Sequence, residues 1–151
     1  DFRCEENIIE YGYKFHMNDI AAVIGIEQLK YVDDLVKKHI NNANFYDRKF
    51  TNIDHIKLIP RSDNAVSSSW LYTIHIDTRD DFMQYMQNNG IQSSKVHERN
   101  DKHDAFSESY TNNLKGVDKF CETQVSIPVG WWLTMDELDY IAKTVIEYKS
   151  S

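Results

Sequence analysis

The sequence predicts an α+β fold: a long N-terminal helix followed by a small, mostly antiparallel sheet with helices packed on one face. Three observations predict it. Apolar residues recur at mainly three- and four-residue steps from Ile20 to Phe50, the period of a helix with one buried face. Trp70, Tyr72, Ile74 and Ile76 alternate with Leu71, Thr73, His75 and Asp77, the period of a strand. Near the C-terminus, Leu138, Ile141, Ala142, Val145 and Ile146 return to helical spacing. Helix, strands, helix, strands and helix in that order place helices against a small sheet.

The elements follow in turn. Residues 1–17 carry no clean period and read as an irregular arm; residues 18–151 read as a single α+β domain. Asn18 is a natural N-cap, and Asp19 suits the positive end of a helix dipole. The helix is expected to run for about 30 residues, longer than a typical globular helix. His55 to Pro60 reads as a short strand ended by the proline, and residues 61–68 as a polar loop. Trp70 to Asp77 is the clearer strand. Thr78-Arg79-Asp80-Asp81 resembles a capped helix start, Phe82, Tyr85 and Met86 give that helix one apolar face, and Gly90 is its C-cap.

Ile91 to Val96 is expected to be a further strand. Residues 97–115 are polar and irregular, with a helical turn near Ala105 to Tyr110. Val117 to Glu122 reads as a short helix, and Gln124 to Ile127 as a strand closed by Pro128. Thr134 and Glu137 stand at capping-box spacing before the last helix.

Composition narrows the function. A chain of 151 residues, 41% hydrophobic and 13% aromatic, is long enough for a real core. The net charge of -7 lacks the basic stripe that non-specific nucleic-acid binding needs. No apolar run approaches a membrane span, and Asp1, Arg3, Glu5 and Glu6 interrupt any signal-like stretch. Cys4 and Cys121 lie far apart with no Cys-x-x-Cys partner, so free thiols of a cytoplasmic protein are the plain reading, with a disulfide between them as the unsupported alternative.

Two constellations stand out. His97, Arg99, Lys102 and His103 concentrate hydrogen-bond donors in one loop, offset by Glu98, Asp101 and Asp104. The plain alternative is a solvated loop. The two histidines match no metal-binding helix pair. Trp131 and Trp132 follow Pro128; one is expected in the core and the other beside a cleft. Asp33-Asp34 and Asp80-Asp81 read as solvated helix acids, Ser67-Ser68-Ser69 lacks a nucleophile elbow, and Cys121 reads as structural.

Six segments carry a family resemblance in their joint order and spacing. They are Gly12 to Ala22, Gln28-Leu29, Trp70-Leu71-Tyr72, Gly90-Ile91, Val96-His97 with the polar loop to Phe106, and Ile127-Pro128-Val129-Gly130-Trp131-Trp132. Over nearly its whole length the chain resembles the small C-terminal domain of PLP-dependent nucleotide-sugar aminotransferases of the DegT–StrS group, which have fold type I. The resemblance implies an intact enzyme that moves an amino group from a donor amino acid, glutamate, to a keto nucleotide-sugar. It implies a homodimer in which the loop at residues 12–17 reaches the other subunit's cofactor phosphate, with Tyr13, Lys14 and His16 as cofactor-binding residues.

By the same resemblance His97 and Arg99 line the substrate cleft, and the indole of Trp131 is read as a stacking face for a sugar or base. Relatives often carry asparagine or arginine where Lys14 and His16 stand, which leaves the phosphate ligand open. The family's Schiff-base lysine lies upstream of this loop, and Lys14 is not that residue. The isolated chain is therefore expected to hold no covalent pyridoxal 5'-phosphate, to be inactive, and to self-associate through exposed apolar surface. The alternative is a free-standing, non-catalytic module that binds a nucleotide-sugar or a partner chain. A related dehydratase also stays open.

Overall fold

The computed structural model describes residues 7–10, 12, 17–109 and 113–149. Helix α1 spans Asp19–Leu29 and α2 spans Val32–Phe50. The Asn18 side chain caps α1 by accepting from the Ala21 amide at 2.9 Å, as its residue type predicts. The expected long helical run is present but interrupted once. Lys30 and Tyr31 bond back three residues, to the carbonyls of Glu27 and Gln28, so the path tightens there and restarts at Val32.

The two helices differ in role. Helix α2 opens on Asp33 and Asp34, closes on Arg48 and Lys49, and buries Ala43, Tyr46 and Phe50. Helix α1 buries nothing.

The sheet has three strands in the order β1 (Lys57–Leu58), β2 (Tyr72–His75), β3 (Gln124–Ile127), all antiparallel. Ile74 stands opposite Leu58 on one side and Val125 on the other. This register gathers Tyr72, Ile74, Val125 and Ile127 on one face of the sheet, because side chains of paired residues point the same way. The core forms there with Tyr46 and Phe50 of α2, Phe82 and Met86 of α3 (Arg79–Asn88), and Leu138, Ile141, Ala142 and Val145 of α5 (Met135–Glu147). Each large side chain so buried contributes roughly 1.5–3 kcal/mol.

The opposite face is polar. Thr73 shares a hydrogen bond with Ser126 at 2.9 Å, and His75 lies beside Gln124. Helix α4 (Lys115–Thr123) covers the end of this face, with Phe120 edge-on to His75.

Two local expectations are corrected. Thr78 precedes α3 but makes no capping bond. Its hydroxyl pairs instead with the Tyr148 hydroxyl at 2.7 Å, which ties the start of α3 to the end of α5. The strand expected over Ile91 to Val96 reduces to a single bridge from Ser94 to Ser126. Gln92, Ser93, Ser94 and Lys95 have little preference for a pleated surface, so pairing does not extend.

The stop of α3 follows prediction. Gly90 takes φ +72°, and the Ile91 amide bonds to the Met86 carbonyl. Ile91 and Met86 are both buried, the hydrophobic contact of a Schellman ending. The capping box of α5 forms as spaced: Glu137 N donates to Thr134 Oγ1 at 3.3 Å and Thr134 N to Glu137 Oε2 at 2.8 Å. Among the described residues no helix is long and apolar enough to cross a membrane.

Candidate functional site: a charged loop and a tryptophan corner

The first patch is the loop after Ser94. The paired amides of Ser94 and Ser126 lead the chain along the edge of β3. Gln124, fully buried, then donates its side-chain amide to the His97 carbonyl. This fixes the backbone of His97 and leaves its imidazole exposed, without a hydrogen bond or ion pair among the described residues.

Two residues later the side chain of Arg99 is only 2% exposed. Its guanidinium grips both carboxylate oxygens of Asp101 and reaches Asp118 on α4. Its hydrogen bonds to Asp101, then to Asp118, hold its pKa above the already high arginine value. A burial this deep is tolerated because two carboxylates and a planar fork satisfy the cation. The same pairing engages the charge that a substrate anion would otherwise meet. Arg99 therefore fastens the loop to α4.

Lys102 lies 3.9 Å from half-buried Glu98, a loose pair. Glu98, Asp101 and Asp104 outnumber Arg99 and Lys102, so the loop offers imidazole and amide donors within a mildly negative field. Such a surface suits sugar hydroxyls better than a bare phosphate. The Cys121 thiol on α4 is pushed up, first by burial and then by Glu98, which leaves it protonated and unreactive.

The second patch is the turn leaving β3. His39, Asn42 and Tyr46 lie at three- and four-residue steps on α2 and share one face. Tyr46 donates to the Pro128 carbonyl at 2.8 Å. Asn42 donates to the carbonyls of Val129 at 3.1 Å and Gly130 at 2.9 Å. His39 stands edge-on to Trp132, with centroids 6.3 Å apart. Glycine at residue 130 lets the Trp132 indole lie against the backbone, because an added Cβ would overlap the ring in this position.

Neither tryptophan enters the core, contrary to expectation: Trp131 is 45% and Trp132 63% exposed. The α2 bonds hold the turn against the helix, and the two indoles meet edge-on outside the core, centroids 5.9 Å apart. Trp131 borders an apolar groove of about 790 Å³ between α1 and α2, with Met17, Gly25, Leu29, Val32 and Leu35. The Lys38 ammonium lies 6.0 Å from the Trp131 ring centroid.

The structure gives the expected substrate residues different surroundings. His97 and Arg99 belong to the loop beside α4, whereas Trp131 belongs to the α1–α2 groove. The expected cofactor residues Tyr13, Lys14 and His16 lie outside the described residues. Among the described residues, no three histidine, cysteine or acidic side chains gather as a metal site. Cys121 is a free thiol, and Cys4 lies outside the described residues.

Sequence reasoning missed Asn42, Gln124 and Asp118. Asn42 carried a signal, since it falls one helical step from both His39 and Tyr46. Gln124 carried another, a polar residue opening an otherwise buried strand.

With this geometry in place, the comparisons with known proteins decide the family. The sequence profile of the DegT/DnrJ/EryC1/StrS aminotransferase family matches residues 2–146. The chain belongs to this family. A UDP-4-amino-4,6-dideoxy-N-acetyl-beta-L-altrosamine transaminase of Campylobacter jejuni is 25% identical over 148 residues, covering 93% of this chain and 39% of that protein. The sugar aminotransferase CalS13 of Micromonospora echinospora superposes with a TM-score of 0.82 at 36% identity, covering 90% of this chain and 37% of that one. AtS13 of Actinomadura melliaura gives 0.83 at 34% identity, covering 98% and 39%. The family fold thus accounts for the α+β architecture, and the chain spans about two fifths of the length of the relatives it matches.

Proposed function

We propose that this chain is the substrate-cleft portion of a pyridoxal 5'-phosphate-dependent aminotransferase that acts on a keto nucleotide-sugar. The observation that carries the reading is the family match over residues 2–146. The exposed α1 supports it, since an apolar helix with no buried residue suits a body that packs on more protein.

The donor set of residues 13–16 fits a phosphate in its chemistry. Tyr13 offers a hydroxyl, Lys14 an ammonium and His16 an imidazole, immediately before the N-terminus of α1. The cofactor, when bound, supplies the electron sink that lets an amino group change carbon. This chain's own residues bind and orient. The free imidazole of His97 meets a sugar hydroxyl, Arg99 holds that loop in place, and Trp131 offers an indole face to a ring of the substrate. The Schiff-base lysine is assigned outside these 151 residues, and the intact protein is a cytoplasmic homodimer that takes its amino group from glutamate.

The test uses the native protein with pyridoxal 5'-phosphate, glutamate and a keto nucleotide-sugar, reading the product by mass. An amino nucleotide-sugar that forms only when all three are present supports the reading. Its absence across UDP-, dTDP- and GDP-linked keto sugars overturns it.

A further inference from the structure

The far end of the charged loop is tied to the N-terminal arm across nearly the whole sequence. Asn7 meets residue 104 twice: its Nδ2 donates to the Asp104 carboxylate at 2.7 Å, and its Oδ1 accepts from the Asp104 amide at 3.1 Å. The next residue continues the contact through the backbone. The Ala105 amide donates to the Ile8 carbonyl at 2.8 Å, and the Ile8 amide donates to His103 Nδ1 at 3.4 Å. Four hydrogen bonds thus join two residues of the arm to three residues of the loop, ninety-five or more positions away.

We infer that Asn7 is a positioning residue: it latches the chain at residues 7 and 8 to the loop at residues 103–105. An asparagine is needed because residue 104 presents an acceptor and a donor together, and only a side-chain amide answers both at this reach. The loop is already fixed at its near end by Gln124 and in its middle by Arg99, so residues 7 and 8 join a segment that is itself anchored. The functional meaning of the latch rests on the aminotransferase reading, in which the arm serves the cofactor and the loop serves the sugar. The latch itself does not depend on that reading.

Amide hydrogen exchange on the 151-residue chain tests it without cofactor or substrate. Asn7→Ala removes both side-chain bonds, and Asn7→Asp places a second carboxylate against Asp104. Each should speed exchange at the Asp104 and Ala105 amides about tenfold. The Ile76 amide, bonded to the Thr123 carbonyl in the core, should keep its rate. The exchanged pair Asn7→Asp with Asp104→Asn restores one carboxylate facing one amide and should return both amides to the original rate. Unchanged exchange in Asn7→Ala, equal acceleration at Ile76, or failure of the exchanged pair to rescue would each overturn the latch. None of these results bears on transaminase activity, so the two claims fail separately.

Discussion

Gly130 and Trp132 show how one missing Cβ shapes the tryptophan corner. Substituting Gly130→Ala puts a methyl group where the indole now lies. Trp132 is largely exposed and can swing away, so the fold should survive. The loss should be about 1 kcal/mol, the worth of one aromatic edge contact. Tryptophan emission should shift to the red as the ring leaves His39, while the melting point falls by only a few degrees. An unchanged spectrum would mean that Trp132 does not rest there.

Single groups also fix the dependence on pH. His75 is held below the ordinary imidazole value, first by burial and then by Lys57 and Lys119. Its folded pKa is lowered, so protons favour the unfolded chain and stability falls as pH drops below about 6.5. Asp77, held low mainly by hydrogen bonds from Lys119 and Lys57, and Glu137, held low by the Thr134 amide, act in the same direction. Their contribution is present above the ordinary carboxylate range and is lost as pH falls through their depressed values. At the other extreme, Tyr46 and Tyr72 are pushed up, chiefly by burial. Their contribution is full below about pH 10 and is lost as pH rises beyond it. Denaturant midpoints should therefore decline below pH 6.5 and again above pH 10. His75→Gln should flatten the slope between pH 6.5 and 5 and leave the alkaline limb alone.

At the level of elements, α5 depends on its capping box. Thr134→Ala removes the acceptor for the Glu137 amide and should cost about 1 kcal/mol, seen as a lower melting point with unchanged denaturant sensitivity. Thr134→Ser should restore most of it. Elements of this kind were legible in the sequence because their causes are local. Thr134 with Glu137 marks α5, Asn18 marks α1, Gly90 closes α3, and the alternation from Trp70 marks β2. The start of α3 falls at Thr78-Arg79 as read, but the expected capping bond does not form, because the Thr78 hydroxyl is claimed by Tyr148, seventy residues away.

The candidate site divides in the same manner. His97 and its loop could be singled out by residue type, yet the engagement of Arg99 depends on Asp118, which approaches only through the fold. The exposure of both tryptophans likewise depends on Asn42 and Tyr46 holding the turn, contacts made across more than eighty residues.

Across the whole molecule the most telling feature is the contrast between α2 and α1. Met17, Ile20, Val23, Ile24, Ile26 and Leu29 are all exposed, Ile20 by 74% and Met17 by 80%. A surface this apolar drives association in water. The isolated chain should sediment as dimers or larger species at micromolar concentration, and Ile20→Asp with Ile24→Asp should shift it toward monomer without altering the core. A strictly monomeric wild-type chain would contradict that expectation.

The proposed function requires a cofactor lysine elsewhere in the protein. The most direct measurement is the intact mass of the native protein after borohydride reduction, followed by mapping of any modified peptide. The expected result is a mass well above 17.8 kDa with one reduced cofactor fixed to a lysine outside these 151 residues. A native mass equal to that of this chain, with no cofactor fixed, would contradict the claim and leave a binding module in its place.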